Sequence, residues 1–482
     1  MKKINTCNDN IFALSTPVGG AIAVIRASGS DVLPVLREIF SGRIEHRQLN
    51  YGKITDRIEP DGGQGEERKE NDTGALAVLD EAMAVYFRAP HSYTGEDMFE
   101  LNLHGSYSVV SAVSRALTRR GMRLAEAGEF TKRAFLNGKM DLVQADAVMD
   151  LINAETRRGA SAALEQLEGG LSRRIGAIEE KLLDFASELA AAMDYPEEME
   201  DEVLSAAPEV LNSAISRIRD LIDNGNCNKI IREGAKLAIL GRPNVGKSSL
   251  LNALMNAERA IVTNIAGTTR DVLEEKIDLL GLPVRIADTA GIHETGDAVE
   301  KIGIERALHE AASAECVLLL FDGSAGITQE DERLVQKVFG MNCRNVIFVI
   351  NKCDLPDCGT AAEQLKNIAP ENGGSISRIS CRTGFGLDEL KHRIAEAVGL
   401  SEGRAIVTNE RHIECLSAAC AELCGAAELF SKGGNAAEML LPQTELVAES
   451  VGNALHCLGE ISGREVSEEL LDRIFERFCV GK

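Results

Sequence analysis

Apolar positions change their spacing along the chain, and these changes divide it into segments of different predicted structure. Strand-like runs, such as Ala21–Arg26 and Glu81–Arg88, occur in the first quarter. From about Asp141 to Asp223 the apolar positions recur with helical spacing. Short apolar strands and helices then alternate from about 233 to 399, and helical spacing returns from 402 to 482. The pattern predicts a helical region that is split by an inserted α/β domain.

Polar stretches interrupt this pattern at three places. Glu59–Gly74 is charged and rich in glycine, which predicts a disordered hairpin loop. The acidic run Asp194–Glu202 is interpreted as a solvated turn between helices. Glu100, Asn102 and His104 alternate along one predicted strand and therefore share a face, which is either a polar pocket or the solvent side.

The first stretch with a chemical signature is Gly241–Ser248, which fits the phosphate-binding pattern G-x-x-x-x-G-K-[ST]. An apolar strand, Leu237–Leu240, precedes it, and a helical stretch, Ser249–Leu254, follows it. The glycines let backbone N–H groups approach phosphate oxygens, Lys247 reaches the outer phosphates, and Ser248 can bind Mg²⁺. The setting therefore predicts a P-loop.

Three further motifs follow the P-loop in order. Asp288–Gly291 ends the apolar strand 283–287, where an aspartate can hold Mg²⁺ through water. Asn351–Asp354 reads N-K-x-D, whose carboxylate can accept from N1–H and the 2-amino group of guanine, donors that adenine lacks. Ser380–Arg382 follows a strand that ends at Ile379, and its backbone can contact the guanine O6. Together the motifs predict GTP or GDP binding and resemble the Ras-like GTPases.

Composition limits the other possibilities. The length of 482 residues suits about three domains, and no apolar run reaches the roughly 18 residues that would span a bilayer. The N-terminal residues lack the apolar core of a signal peptide. The twelve cysteines are scattered, and Cys420 and Cys424, four apart on a predicted helix, are better interpreted as buried or free thiols than as a zinc site. We therefore expect a reducing, cytoplasmic setting. The net charge of −23 argues against non-specific nucleic-acid binding over the whole surface.

Four blocks, taken with the inserted GTPase motifs, resemble the MnmE (TrmE) family of tRNA modification GTPases. They are Ser92–Asp97, Gly128–Lys139, the switch-like Thr263–Asp271 and the C-terminal Cys479–Lys482. The resemblance covers nearly the whole chain and implies a multidomain α/β plus α protein. Its implied parts are an α+β folate-binding and dimerisation domain (1–136), a helical domain (137–230 and 401–482) and an inserted Ras-like P-loop GTPase domain (231–400) with a mixed, mostly parallel sheet.

The resemblance also implies ligands and partners. The N-terminal domain would bind a formyl-tetrahydrofolate-type one-carbon donor through Arg26, Glu100, Lys139 and Lys482. On composition alone Arg26 is better interpreted as a solvated strand end. Cys479 would be a reactive thiol. The family works as a homodimer with a flavin-containing subunit, MnmG (GidA), to add an aminomethyl or carboxymethylaminomethyl group at carbon 5 of the wobble uridine of certain tRNAs.

For GTP hydrolysis the resemblance implies a potassium ion in place of an arginine finger. Ile292 stands where Ras has the glutamine that orients the attacking water, and isoleucine cannot do this. The resemblance implies that Glu300 takes this role, with Lys247 and Asp288 as further catalytic residues. Mg²⁺ would bind Ser248 and Thr269, and K⁺ would bind Asn244, Thr263, Ile265 and Thr268. The predicted nucleotide-binding residues are Asn244, Val245, Gly246, Lys247, Ser248, Ser249, Thr263, Asn264, Ile265, Ala266, Gly267, Thr268, Thr269, Asp288, Thr289, Ala290, Gly291, Asn351, Lys352, Asp354, Ser380, Cys381 and Arg382.

Two departures and two alternatives accompany this interpretation. The turn Thr16–Ala21 is one residue shorter than the family's usual turn, and His293 stands where some relatives have arginine. One alternative is a ribosome-assembly GTPase of the Era or EngA kind, although no KH-like domain with a basic G-x-x-G loop is evident. The other is a folate-dependent one-carbon enzyme whose GTPase domain only regulates it.

Overall fold

The computed structural model describes residues 9–57, 76–257, 275–287, 308–341, 343, 345–356, 358–368, 375–399, 409–432 and 441–481. The predicted loop at Glu59–Gly74 lies outside these residues. The chain divides into two compact units. The first combines Met1–Ala145 with Ser462–Lys482, and the second is Asp146–Ile461. The domain limits expected from the sequence stay a prediction.

A six-stranded sheet forms the centre of the first unit. Its strands are β1 (Ile11–Leu14), β2 (Ile22–Ser28), β3 (Asn50–Arg57), β4 (Leu76–Phe87), β5 (Met98–His104) and β6 (Arg123–Leu124), in the order β3-β4-β5-β2-β1-β6. The β1–β6 pair is parallel and the other pairs are antiparallel. Alternate residues of β4 are buried, as expected for a sheet with one covered face. The buried side chains pack against α1 (Val32–Ile39) and α2 (Tyr107–Arg119).

The C-terminal end of the chain completes this first unit. A helix, α14 (Glu468–Phe475), lies against α3 (Glu129–Leu136), and the ring of Phe475 packs at a tilt against that of Phe135, with centroids 6.5 Å apart. Gly128 has a φ of +65°, and a Cβ there would lie 2.7 Å from the carbonyl oxygen of Phe475. Glycine therefore allows the close approach. The Ser15 hydroxyl donates to the carbonyl of Gly481 over 3.0 Å, so the two ends of the chain are bonded to each other.

Long helices dominate the helical part of the second unit. They are α4 (Leu142–Asn153), α5 (Arg157–Leu167), α6 (Gly170–Asp194), α7 (Pro196–Glu233), α12 (Glu410–Lys432) and α13 (Leu441–Ser462). The large apolar residues of α6 are buried at alternating spacings of three and four, which is the pattern of one helix face: Leu171, Ile175, Ile178, Leu182, Phe185 and Leu189. Helix α7 packs along both α6 and α12.

The interpretation of the acidic run as a turn is wrong. Tyr195 alone separates α6 from α7, and Pro196 to Glu202 are helical. Proline at the first helical position has the right φ and lacks only an N–H that would be unbonded there. Carboxylates in the first turns are also favoured by the helix dipole. The same residues that resemble a solvated turn therefore start a helix.

A buried carboxylate on α4 bonds to residues at the start of α12, the helix that follows the inserted domain in the chain. Oδ2 of Asp146 accepts from Arg411 Nη2 at 2.9 Å and from Asn409 Nδ2 at 3.2 Å. It also lies 3.2 Å from Nε2 of the fully buried His412. Burial raises the pKa of Asp146, but its bonds and charge interactions with His412 and Arg411 outweigh that effect and lower it. The carboxylate therefore stays ionised and links the two helices.

The inserted domain is a six-stranded sheet with helices on both faces. Its strands are β7 (Ala235–Leu240), β8 (Glu275–Leu279), β9 (Leu282–Ala287), β10 (Cys316–Asp322), β11 (Val346–Asn351) and β12 (Ile376–Arg378), in the order β12-β11-β10-β7-β9-β8. Among these described strands β8 is antiparallel and the rest are parallel, which confirms the predicted mixed, mostly parallel sheet. Its described helices are α8 (Lys247–Ala257), α9 (Gln329–Gly340), α10 (Cys358–Ile368) and α11 (Leu387–Ala397).

The central strands of this sheet are buried on both faces. Cys316, Leu318 and Leu320 of β10 face one apolar core, whereas Val317, Leu319 and Phe321 face the other. Such strands are continuous apolar runs because neither face meets water. Within the described part of the chain, no helix is both long and apolar enough to cross a membrane.

An ion network stabilises the first unit beneath β1. Arg123 forms two hydrogen bonds to Glu129, of 2.6 and 2.8 Å, and also pairs with Asp9. Arg133 bonds to Glu129 at 2.9 Å, to Asp9 at 3.0 Å and to Glu96 at 3.2 Å. The bond from Arg123 lowers the pKa of Asp9. Burial raises the pKa of Glu129, but its bonds to Arg123, the Glu126 backbone and Arg133 lower it overall.

We expect Glu129→Gln to lower the free energy of unfolding of the first unit by about 1–3 kcal/mol at neutral pH, because it leaves the donors of the buried Arg133 and the half-buried Arg123 with a weaker acceptor. Because the folded-state pKa of Glu129 is depressed, its contribution is present above the unfolded value of about 4.3 and is lost as the pH falls through the folded value. The difference between wild type and variant should therefore shrink at acidic pH.

Urea unfolding followed by tyrosine fluorescence measures this effect, since four of the five tyrosines, Tyr51, Tyr86, Tyr93 and Tyr107, lie in the first unit and the chain has no tryptophan. The exposed neighbour Glu126 provides the control, and Glu126→Gln should change stability by less than about 0.5 kcal/mol. Equal effects of the two substitutions would show that the network contributes nothing.

Candidate functional sites

The P-loop lies at the carboxyl end of β7 and leads into the N-terminus of α8. Lys247 Nζ donates to the carbonyl oxygens of Gly241 at 2.7 Å and Arg242 at 2.9 Å, which keeps the amine over the loop. Ser248 and Ser249 are exposed in the first turn of α8. Free N–H groups at a helix N-terminus bind phosphate. The predicted strand–loop–helix arrangement is therefore present.

A buried amide links the P-loop to the two loops predicted to bind guanine. Asn351 Nδ2 donates to the carbonyl of Val245 at 3.0 Å, and the N–H of Cys381 donates to Asn351 Oδ1 at 3.2 Å. Gly246 has a φ of +101°, and a Cβ there would lie 2.3 Å from Asn351 Nδ2. Only glycine therefore allows the loop to close on this amide.

The residues next to Asn351 form the part of the cavity that is expected to bind the base. The Ser380 hydroxyl donates to Asp354 Oδ1 at 2.7 Å, and this bond lowers the pKa of Asp354, so the carboxylate stays an acceptor. Lys352 Nζ donates to the carbonyl of Asn244 at 3.0 Å and also contacts Asp322. A cavity of about 340 Å³ lies between these loops and is lined by Asn244, Gly246, Ser249, Asn351, Lys352, Asp354, Leu355, Cys381 and Arg382.

The structure thus brings the predicted P-loop and guanine-binding residues together at one edge of the sheet. Asn244 is exposed, has a φ of +63°, and its side-chain amide makes no hydrogen bond to any residue that the structure describes. Asp354 presents a carboxylate at the other end of the same cavity. The cavity therefore offers donors for phosphate, an acceptor for guanine and an oxygen ligand for a cation.

Several predicted residues lie outside the described residues, and their roles stay predictions. They are Thr263, Asn264, Ile265, Ala266, Gly267, Thr268, Thr269, Asp288, Thr289, Ala290, Gly291, Glu300 and Lys482, together with the noted positions Ile292 and His293.

A disulfide that the sequence did not predict joins Cys353, which precedes Asp354, to Cys358 at the start of α10. No pairing can be read from the spacing of scattered cysteines. The expectation of thiols at Cys420 and Cys424 is confirmed, since both are free. The predicted helical pair Cys420 and Cys424 lies on α12, where Arg219 Nη2 is 3.3 Å from the Cys424 sulfur.

An ion pair between the P-loop and α9 was not predicted from the sequence. Arg242 Nε donates to Asp331 Oδ1 at 2.8 Å, and the Asp331 side chain is 1% exposed. The other oxygen of Asp331 accepts from the N–H and the hydroxyl of Thr328, so the same carboxylate caps α9. The capping pattern T-x-x-D was the only available signal, and it does not reveal the arginine.

Two of the predicted folate residues meet in the first unit. Arg26 of β2 and Glu100 of β5 lie opposite each other in the sheet, and their side chains bond at 2.8 and 2.9 Å. The rings of Tyr93 and Phe130 lie 5.4 and 5.9 Å from the Arg26 guanidinium. Both charged side chains are about one-fifth exposed. Arg26 is therefore part of a half-buried polar and aromatic cluster rather than a solvated strand end.

The rest of the polar strand face is divided. Asn102 is half-buried, and the exposed His104 contacts Asp80 through its ring Nδ1 at 2.7 Å. The strand face is therefore half-buried at Glu100 and a solvent surface at His104.

The other two predicted residues of the first unit are exposed. Lys139 Nζ donates to the carbonyl of Pro90 at 3.0 Å, within the loop that carries Tyr93. Cys479 is exposed, and its carbonyl accepts from the N–H of Gly128 at 3.4 Å. The structure therefore shows no direct contact of Lys139 or Cys479 with the Arg26–Glu100 pair.

Comparisons with known proteins cover nearly the whole chain. A family model described as "GTP-binding protein TrmE N-terminus" matches residues 10–139, and one described as "MnmE helical domain" matches residues 142–479. The tRNA modification GTPase MnmE of Lactobacillus delbrueckii subsp. bulgaricus is 40% identical over 98% of both chains. That of Aquifex aeolicus is 40% identical over 98% of this chain and 99% of its own.

A solved structure of Aquifex aeolicus Era bound to GDP·AlF₄⁻ is 27% identical but covers 39% of this chain and 66% of its own, with a TM-score of 0.29. That similarity is too low to support a structural argument. The full-length relatives and the two family models do identify the chain, which belongs to the MnmE family of tRNA modification GTPases.

Proposed function

We propose that this GTPase is stimulated by K⁺ and forms one subunit of a complex that modifies carbon 5 of the wobble uridine in certain tRNAs. The observation that carries the potassium proposal is the position of Asn244. Its exposed amide lies on the nucleotide cavity without a hydrogen-bond partner among the described residues. Its backbone is fixed by the bond from Lys352. An exposed amide oxygen without a protein partner, carried on a backbone that is held in place, is a suitable ligand for a hard cation.

The residues that are described fit two cations with separate tasks. The Ser248 hydroxyl, at the start of α8, would bind Mg²⁺, with Thr269 as the proposed second ligand. The Asn244 amide would bind K⁺, with Thr263, Ile265 and Thr268 as further proposed ligands. When bound, K⁺ would offset the charge that develops on the phosphates, the task of an arginine finger in other GTPases. Lys247 would bind the outer phosphates, and Glu300 and Asp288 would complete the catalytic set.

The half-buried cluster of the first unit fits a formyl-tetrahydrofolate-type ligand. The Glu100 carboxylate can accept from the amino-pyrimidine edge of a pterin, and Arg26 can donate to a carbonyl or carboxylate. Tyr93 and Phe130 supply flat apolar surface beside them. Lys139 and Lys482 would extend the site toward the anionic end of the ligand. Cys479 is proposed as a reactive thiol.

The partner proposals rest on the family. A flavin-containing subunit, MnmG (GidA), would share the addition of the aminomethyl or carboxymethylaminomethyl group, in the cytoplasm, and the chain would act as a homodimer. Such a partner would also help an acidic chain to bind RNA. The ribosome-assembly alternative loses support because the full-length relatives are named tRNA modification GTPases. A folate enzyme with a purely regulatory GTPase domain would bind folate without any effect on tRNA.

We expect the wild-type chain to hydrolyse GTP at least about tenfold faster in K⁺ than in Na⁺ at equal ionic strength, because Na⁺ is too small for the same ligands. Asn244→Ala should remove this difference while GDP affinity changes little. Phosphate release in the two salts measures it. Asn252→Ala, at an exposed position of α8, is the matched control and should keep the difference. Equal wild-type rates in K⁺ and Na⁺ would contradict the cation assignment.

The ion pair between Arg242 of the P-loop and Asp331 of α9 should slow the release of nucleotide. Asp331→Asn should release GDP about tenfold faster, because it weakens the charge-assisted bond that fixes Arg242. Asparagine can still accept from Thr328, so α9 should remain intact. Stopped-flow displacement of a fluorescent GDP measures the rate. Glu330→Gln, an exposed position on the same turn, should release GDP at the wild-type rate. If Asp331→Asn releases GDP at the same rate as this control, Asp331 does not contribute to GDP binding.

A further inference from the structure

Three segments of the first unit carry exposed basic side chains on a chain that is otherwise acidic. They come from the end of α1, from the segment 46–47 and from the segment 88–91, with Lys139 beside them. We call this set the basic patch, and its members are Arg37, His46, Arg47, Arg88, His91 and Lys139, all exposed.

The contacts between these segments place the side chains next to one another. The N–H of Arg88 donates to Nδ1 of His46 at 2.9 Å, and Arg47 Nη2 donates to the carbonyl of His91 at 3.3 Å. The rings of His46 and His91 have centroids 6.4 Å apart. Lys139 Nζ reaches the carbonyl of Pro90, the residue before His91. The patch is therefore one continuous surface.

Arg37, on α1, is exposed on the same unit and lies close enough to Tyr86 for its charge to act on the Tyr86 hydroxyl. Burial and Asp97 raise the pKa of Tyr86 to about 12, and the charges of Arg88 and Arg37 oppose that rise. The Tyr86 hydroxyl itself donates to Asp97 at 2.7 Å.

The acidic neighbours of the patch are already bonded. Asp97 accepts from Tyr86 and from the N–H of Ala89, Glu45 pairs with Arg43, and Glu38 pairs with Arg120. Glu96 bonds to Arg133 and Ser28. Within the part of the chain that the structure describes, Arg37, Arg47 and Arg88 form no ion pair with a carboxylate. Three exposed guanidinium groups without counter-charges are unusual on a chain with a net charge of −23.

The chemistry of the patch matches a sugar–phosphate backbone. Guanidinium groups form forked hydrogen bonds with phosphate, and histidine rings can stack on bases or bond to ribose. Because Nδ1 of His46 accepts from a backbone N–H, the ring proton is on Nε2 and can be donated outward.

The patch also adjoins the half-buried cluster of the first unit. The segment 88–97 carries Arg88 and His91 of the patch, and it also carries Tyr93, whose ring lies against Arg26. A nucleic acid bound at the patch would therefore lie beside the Arg26–Glu100 pair.

We propose that the basic patch binds the backbone of the tRNA substrate and sets the target nucleotide next to the Arg26–Glu100 cluster. This inference rests on tRNA being the substrate, as in the family, and does not depend on the potassium site. It explains how an acidic chain can present a local surface for RNA while the rest of its surface repels it.

Binding of a full-length unmodified tRNA to the full-length chain, measured by fluorescence anisotropy from about 50 to 300 mM KCl, tests the proposal. Each phosphate contact contributes about 0.9 to the slope of log affinity against log salt. The double variant Arg47→Gln/Arg88→Gln should lower that slope by about two and lower the affinity at about 0.1 M salt by tenfold or more. Each single variant should lower the slope by about one, which keeps the test valid if the double variant is unstable.

The control is the double variant Arg115→Gln/Arg473→Gln, which removes the same charge from exposed positions of the same unit. It should bind tRNA within about twofold of wild type, because the patch is intact. Patch variants that match this control in slope and affinity would overturn the proposal.

A second ligand separates RNA from another anion. If the patch variants lose affinity for a polyglutamylated folate but keep their affinity for tRNA, the patch belongs to the folate tail and the proposal is wrong. The potassium dependence of wild-type GTP hydrolysis is measured separately. If GTP hydrolysis does not depend on potassium, the cation-site proposal is wrong and the tRNA result is unaffected.

Discussion

The nucleotide cavity depends on one buried amide, that of Asn351. It stands at the end of β11, and its two polar atoms bond to the P-loop carbonyl of Val245 and to the N–H of Cys381. An amide that is 2% exposed must have both atoms satisfied, because an unpaired buried polar group costs about 1–3 kcal/mol. Both bonds form only if the three loops keep one relative geometry. Residue 246 must then be glycine, since any side chain there would collide with the Asn351 amide.

The same principle organises the rest of the site. Lys352 bonds to the P-loop at Asn244, and Asp331 bonds to it at Arg242, so the loop is supported from two sides by charged side chains. In the first unit, Arg123 and Arg133 likewise bind carboxylates from separate segments. The P-loop and the ion network of the first unit are thus both fixed by partly buried charge pairs, and for the P-loop this favours preorganised binding over adjustment after the ligand arrives.

Local signals predicted much of this protein. The P-loop, N-K-x-D and the apolar strands before them are contiguous stretches whose residues determine their own conformation, and the structure places them together as expected. The family resemblance favoured a binding role for Arg26 over a solvated strand end, and for Glu100 over a place on a solvent-facing strand surface. Their pairing across β2 and β5 agrees with a shared site.

The remaining features depend on contacts between distant residues, which leave no period in the sequence. Ser15 and Gly481 are bonded across 466 positions, and Arg242 and Asp331 across 89. The helical start at Pro196 was misread because acidic residues favour both a solvated turn and a helix N-terminus. The Cys353–Cys358 disulfide was missed because spacing alone does not specify a pairing. The basic patch was not predicted, because the net charge of a chain does not show how its charged side chains are distributed over the surface.

We propose that this chain couples GTP hydrolysis to tRNA modification and binds a folate-type ligand in its first unit. Mass spectrometry of tRNA nucleosides from cells that lack the gene tests it most directly. We expect the wobble uridines modified at carbon 5 to disappear, to return with the wild-type gene, and to stay absent with Lys247→Ala or Glu100→Gln expressed at wild-type levels. Unchanged wobble uridines in the deletion strain, or full restoration by either variant, would contradict the account.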